Sequence, residues 1–165
     1  MAGQDWERAN SDTRRLEPTS FPQLPLSIVQ NLRQRGCTMP QPFTSTQPVG
    51  VIRGHFTSTA VFDWAVLCSV ARTSRVLVFR GGSVTAVDEL ARYPDATFLQ
   101  VVGPGNAVGF SRAIKVASPA HIRSYGKQTI VARVDHDGIE DAFIEKASTI
   151  WYWSGGEWHE LPGED

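Results

Sequence analysis

Asp63-Trp64-Ala65-Val66-Leu67-Cys68, then Ser74-Arg75-Val76-Leu77-Val78-Phe79, then Gly81-Gly82, is the stretch that decides the fold class. Both segments are short and apolar, and the second alternates through Val76 and Val78. Such runs, bounded by turn residues, read as strands. Upstream, Val51-Ile52-Arg53-Gly54-His55-Phe56 reads as a further strand. Three short strands at close spacing predict an antiparallel meander.

Working outward, Ser83 to Tyr93 reads as a helix on Val87, Leu90 and Ala91, ended by Pro94. Thr97 to Val102 reads as a strand, Gly103-Pro104-Gly105-Asn106 as a turn and Val108 to Val116 as its hairpin partner. Ser118-Pro119 opens a turn of helix that Gly126 stops. Thr129 to Val134, Ala142 to Ile144, Thr149 to Trp153 and Glu157 to Leu161 read as strands, with Gly155-Gly156 turning the chain. Toward the N-terminus, Pro25 to Gly36 reads as a helix. Leu26, Val29 and Leu32 form its apolar face, Arg33 and Arg35 sit at the end that favours cations, and Gly36 is the stop. Residues up to about Ser20 show no pattern and read as a flexible arm, followed by a single domain over 21–165. The fold class expected is α+β: small antiparallel sheets, blade-like meanders, with two or three short helices.

A chain of 165 residues with 41% hydrophobic and 20% charged residues has the composition of a globular domain with a core of its own. Its net charge of -1 and lack of a basic stripe argue against nucleic acid as a partner. No apolar run reaches the length of a membrane span. Met1-Ala2-Gly3-Gln4-Asp5 has neither a basic start nor an apolar run, so the chain is read as cytosolic or as a mature form without its leader. Cys37 and Cys68 do not form a C-x-x-C, which disfavours zinc and thioredoxin-type chemistry. In a cytosolic protein they would be buried thiols, and in an exported one a pair.

Asp135-His136-Asp137-Gly138-Ile139-Glu140-Asp141 places three aspartates at the spacing of a metal loop. Calcium takes six to eight oxygen ligands, mostly carboxylates and carbonyls. Asp135, Asp137 and Asp141 offer carboxylates and Ile139 a carbonyl, with Gly138 where a residue bearing a Cβ would be strained. A plain Asp/Gly turn accounts for the same residues, so both readings stay open on the residues alone.

Two stretches, about 51–82 and 130–161, share a layout. Each has a loop, an aspartate, two apolar strands and a Gly-Gly turn: Gly54-His55-Phe56, Asp63 to Leu67, Val76 to Phe79, Gly81-Gly82 in the first, and Asp135 to Gly138, Asp141 to Ile144, Ile150 to Trp153, Gly155-Gly156 in the second. The unit resembles the FG-GAP (VCBS-like) blade of integrin-type propellers, G-D-F-N-G-D-G-x-x-D-[LW]-A-V. Gly54, Phe56, Asp63, Ala65 and Val66 match it in the first copy, and Asp135, Asp137, Gly138 and Asp141 match its calcium loop in the second. His55, Thr57 and Thr59 stand at ligand positions of the first copy, which is expected to be metal-free, and Arg133 replaces the first acidic ligand of the second. The resemblance implies calcium at Asp135, Asp137, Ile139 and Asp141. Gly36-Cys37-Thr38-Met39-Pro40-Gln41 and Asp63 to Ser69 are also similar to exported bacterial proteins with G-C-x-x-P-Q and D-W-A-V-L-C-S elements. That similarity implies a periplasmic or secreted location and a Cys37–Cys68 disulfide.

No G-x-S-x-G and no H-E-x-x-H occurs, so neither a hydrolase nucleophile elbow nor a zinc-protease site is read. His55, Asp63, His121 and His136 are the candidates for acid–base work beside a metal. Trp151, Trp153 and Trp158, with Tyr152, form either core or a platform for a ligand. Two functions are therefore expected: an exported, calcium-stabilised domain binding a protein, glycan or small molecule, or a calcium-dependent hydrolase of a small ester or lactone.

Overall fold

The computed structural model describes residues 5–125, 131 and 133–163. From Asp5 onward the stretch expected to be a flexible arm is structured. Helix α1 (Trp6–Asp12) is capped by the Asp5 carboxylate, which accepts from the Arg8 amide. Strand β1 (Arg15–Leu16) then pairs with β2 (Met39–Pro40) across α2 (Leu26–Arg35). Arg15 anchors this segment: its Nη2 donates to Asp95 Oδ2 at 2.9 Å and to Asn10 Oδ1 at 2.8 Å. An anchor eighty residues away leaves no periodic signature in the local sequence.

The meander predicted from Asp63 to Phe79 is present and has four strands. β3 (Val51–Gly54), β4 (Asp63–Val70), β5 (Thr73–Phe79) and β6 (Val87–Pro94) pair in that order, each antiparallel to the next. The segment expected as a helix is therefore the edge strand β6. Its Val87, Leu90 and Ala91 spacing fits either structure, because a bulge between Ser74 and Val76 breaks the two-residue alternation. Pairing with β5 supplies the backbone partners that so short a helix lacks in water.

A small hairpin follows, β7 (Leu99–Val101) with β8 (Val108–Phe110), around the predicted Gly103–Asn106 turn. The chain breaks at Ser111, so the expected strand to Val116 divides into β8 and β9 (Arg112–Ala117). Helix α3 (Pro119–Tyr125) begins where Pro119 predicts. Of the strand expected over Thr129 to Val134, Val131 is helical and Arg133 lies in a turn, while residues 129, 130 and 132 fall outside those described. The second meander is β9 with β10 (Gly138–Phe143), β11 (Ala147–Ser154) and β12 (Glu157–Pro162), again in sequence order. It thus starts at Arg112, with α3 inserted after its first strand. In both meanders the turn from third to fourth strand carries a Gly-Gly pair at positive φ, Gly81-Gly82 and Gly155-Gly156.

The two four-stranded sheets pack face to face. Phe56, Ala65, Leu67, Val76, Val78 and Leu90 of the first meet Ile114, Ile139, Trp151 and Trp158 of the second. Outside the first sheet α2 buries Ile28 and Leu32 against Val66, Leu77 and Phe79. Outside the second, α3 buries Ile122 against Ile150 and Tyr152. The fold is α+β, layered helix–sheet–sheet–helix. The buried face of α2 is carried by Ile28, whereas Leu26 is 70% exposed at the helix start. No helix among the described residues is long and apolar enough to cross a membrane.

Cys37 and Cys68 form a disulfide between the end of α2 and β4, with Cα atoms 5.1 Å apart and a sequence separation of 31. In the chain-entropy picture a loop of that length contributes about 3–4 kcal/mol. Reduction should therefore lower the unfolding free energy by about that amount without changing the strand content, as read by urea melts followed by circular dichroism with and without dithiothreitol. Identical melts would show the bridge to be thermodynamically idle.

Candidate functional site

Two loops meet at one end of the sheet–sheet interface. The loop after β3 runs from Gly54 to Thr57, and the loop before β10 holds Asp135, His136 and Asp137. They are tied by a reciprocal pair of bonds: the His55 amide donates to Asp137 Oδ2 at 2.9 Å, and the Asp137 amide donates to the His55 carbonyl at 2.8 Å. The approach is close. A Cβ on Gly54 would lie 2.8 Å from the Phe56 ring and 3.2 Å from Asp137 Oδ2. Gly138 is constrained in the same way rather than by its dihedral angles, since a Cβ there would meet the Trp151 carbonyl at 2.6 Å.

Asp63 holds the first loop from below. It is fully buried, and its Oδ2 accepts from the Phe56 amide, the Thr57 amide and the Thr57 hydroxyl at 2.9, 2.9 and 3.0 Å. Its Oδ1 accepts from the Gly81 amide at 2.7 Å. One carboxylate thus organises both the loop and the Gly-Gly turn of its own meander. With four donors on two oxygens and no exposure, Asp63 positions backbone and has no free face for acid–base work.

A cleft of about 420 Å³ opens beside the joined loops. Thr57, Arg133, Val134, Asp135, His136, Trp153, Ser154 and Gly155 line it. Its walls offer an indole, two hydroxyls, a carboxylate, a guanidinium and an imidazole. His136 Nδ1 lies 3.0 Å from the Asp137 carbonyl, so in the neutral ring that nitrogen carries the proton and Nε2 accepts. Arg80 stacks over the Trp153 ring at 5.0 Å, and Trp158 meets it edge-on at 5.4 Å. Trp158 in turn donates to Asp88, which also pairs with Arg80. These contacts fix the indole at the mouth between the sheets.

The four expected metal ligands are not brought together as a set. Asp135 and Asp137 lie on the loop, but Ile139 and Asp141 are inside β10, whose backbone pairs with β9 on one side and β11 on the other. Asp141 is buried and bound on both oxygens by Arg112, Nε to Oδ1 at 2.9 Å and Nη2 to Oδ2 at 2.7 Å. A carboxylate held so by a guanidinium is not free for a cation, which leaves Asp135 and Asp137 as the carboxylates of the loop. No group of three or more His, Cys, Asp or Glu side chains able to hold a metal occurs among the described residues.

The other catalytic candidates are dispersed. His55 is stacked on Phe62 at 4.0 Å, with its Nδ1 2.7 Å from the Val61 carbonyl. His121 stands on α3 beside Tyr125 and 4.0 Å from Glu140, outside the cleft. Of the aromatics, Trp151 packs against the inter-sheet core while Trp153 reaches the cleft. Ser154 was not singled out by sequence, where its only signal is its place beside Gly155-Gly156, and Thr57 and Arg133 entered the sequence reading only as departures from the calcium-loop pattern. No family model, curated protein or solved structure matches the chain.

Replacing Asp141 by alanine leaves Arg112 buried without its counter-charge and should cost about 3–5 kcal/mol. The loss should be the same in EDTA and in millimolar calcium, and the wild-type melting midpoint should not move between the two, since only a ligand of the folded state raises it. A calcium-dependent rise in the wild type, absent from Asp137→Ala, would place a metal on the loop after all.

Proposed function

We propose that the protein is an exported binding domain that takes a hydroxyl-rich ligand, a saccharide above all, in the cleft beside the joined loops. The observation that carries this reading is the lining of that cleft, where one fixed indole stands among six polar or charged groups of both hydrogen-bonding senses, if the backbone of Gly155 is counted with the side chains. Binding sites for small molecules combine an apolar wall with a few placed polar groups. A sugar ring offers both an apolar face and a rim of hydroxyls. Thr57, Ser154 and His136 donate or accept, Asp135 accepts and Arg133 donates.

Export is supported by the Cys37–Cys68 bridge, which fits an oxidising compartment. The blade-like reading is supported by the strand order of both meanders. A hydrolytic reading draws no support from the geometry, because the histidines and Asp63 do not converge.

A panel of neutral and acidic oligosaccharides, followed by calorimetric titration of any hit, tests the proposal. Asp135→Ala, an exposed change, and Trp153→Ala should each weaken binding by about tenfold or more, with Asp135→Ala leaving the melting midpoint in place. Binding that survives both changes would move the site elsewhere, and turnover of a simple ester by the wild type but not by His136→Ala would replace binding with catalysis.

A further inference from the structure

The face of the first meander opposite the cleft carries a second polar feature. Cys68 pairs in register with Arg75, so their side chains share one face of the sheet. The disulfide fixes that face against the end of α2, and Arg35 lies two residues before Cys37. Glu89 pairs in register with Leu77, which packs on α2, so it too points to this side. Arg92 follows Glu89 to the same face, with its Nε 2.9 Å from Glu89 Oε1. The bulge opposite Arg75, where Ala91 adopts φ 53°, is what allows both residues to reach it. Arg75 and Arg92 thus share this face, and Arg35 stands at the helix end that the disulfide seats beside it.

Their partners do not balance them. Arg75 is partly buried, its Nη2 donates to the Thr73 carbonyl at 2.7 Å, and its Nε is buried without a hydrogen-bond partner. Arg35 gives its Nε to the neutral Asn31 side chain. The end of α2 offers little compensation, because the Leu32 and Arg33 carbonyls already accept from the Cys37 and Gly36 amides. Of the acids nearby, Glu89 is engaged by Arg92, and Asp95 is engaged through Oδ2 by Arg15 and by the Ser69 hydroxyl while its Oδ1 is buried without a hydrogen-bond partner. Burial pushes the Arg75 guanidinium below its ordinary range, and Arg92 and Arg35 push it the same way while Glu89 and Asp95 oppose them. A partly buried guanidinium with an unpaired N–H among like charges is an arrangement that an anion would stabilise.

We propose that Arg75, Arg35 and Arg92 form a binding site for a tetrahedral oxyanion, a sulfate or phosphate group. Arg75 is the central donor through Nη1, since its Nε is buried and its Nη2 is given to the Thr73 carbonyl, and Arg35 and Arg92 close the site from the helix and from the edge strand. Guanidinium groups suit this ligand because their planar fork matches two oxygens at once. The group could be a free anion or the ester of a sulfated or phosphorylated polymer, and both present the same three oxygens.

The test uses the full chain with its disulfide intact. Melting midpoints are recorded as sodium chloride is exchanged for sodium sulfate or phosphate at constant ionic strength. A saturable rise is expected in the wild type, with apparent affinity reduced about tenfold or more in Arg75→Met and in Arg35→Gln, in line with the loss of one charge-assisted hydrogen bond. Arg35→Gln sits on the helix surface and keeps the test valid if Arg75→Met does not fold. A rise that is linear in salt and equal in all three proteins is the general effect of excluded salts and overturns the site, as does no rise at all. A sulfated polysaccharide and its desulfated form make the second arm. Tighter binding of the sulfated polymer than of inorganic sulfate identifies a polymer ligand, and equal binding identifies the free anion.

Discussion

Arg112 is the constraint on which the two sheets depend. It is 0% exposed and uses all five of its N–H groups. Nε and one Nη2 hydrogen go to Asp141, the other Nη2 hydrogen goes to the Ala91 carbonyl, and Nη1 donates to both the carbonyl and the hydroxyl of Ser74. Asp141 belongs to the second meander, Ser74 and Ala91 to the first. The Phe98 ring covers the guanidinium at 4.4 Å. A buried pair of this kind adds little net stability over an apolar substitute, since desolvation offsets the attraction. What it imposes is register: only one alignment of the sheets satisfies five donors. A lysine, with three donors and no planar fork, could not make the same set.

The strained backbone of Ala91 follows from that constraint. A positive φ at a residue with a Cβ is unfavourable, and here it sits at the bulge where β6 turns a carbonyl inward to Arg112. The same bulge delivers Glu89 and Arg92 to the outer face. One irregularity in an edge strand thus serves the polar bolt between the sheets and the basic cluster beneath α2.

Much of this was legible as pattern. The strands from Asp63 to Phe79, the helix closed by Gly36 and the hairpin around Gly103–Asn106 each carry local signals that nothing distant overrides. β6 was not legible, because its bulge gives Val87, Leu90 and Ala91 a helical spacing. The N-terminal segment was not, because Arg15 finds Asp95 across the fold. The aspartates illustrate the limit for the site. Asp63 and Asp141 occupy matching places in the repeat, yet Asp63 begins β4 and reaches back to its loop, while Asp141 lies three residues inside β10 and faces Arg112. Matching the two units by aspartate is therefore out of step with matching them by strand. That offset decides whether a carboxylate caps a loop, binds a cation or neutralises an arginine.

The disulfide separates the two polar regions in a way the sheets alone would not. The cleft is built from loops that Asp63, Asp137 and the inter-sheet core hold, none of which involves α2. The basic cluster needs the end of α2 against β4, where the apolar contacts of Ile28 and Leu32, the Cys37–Cys68 bond and the backbone pairing of Thr38 with Ser69 together set where Arg35 falls. Opening that bond removes the covalent tie at the helix end and leaves the Gly36 and Cys37 amides and the Thr38–Ser69 pair to hold it. The cleft keeps its shape because its supports lie on the other side of the first sheet. The two polar regions are thus held by separate sets of contacts, the cleft by Asp63 and Asp137 and the basic face by the seating of α2 on β4.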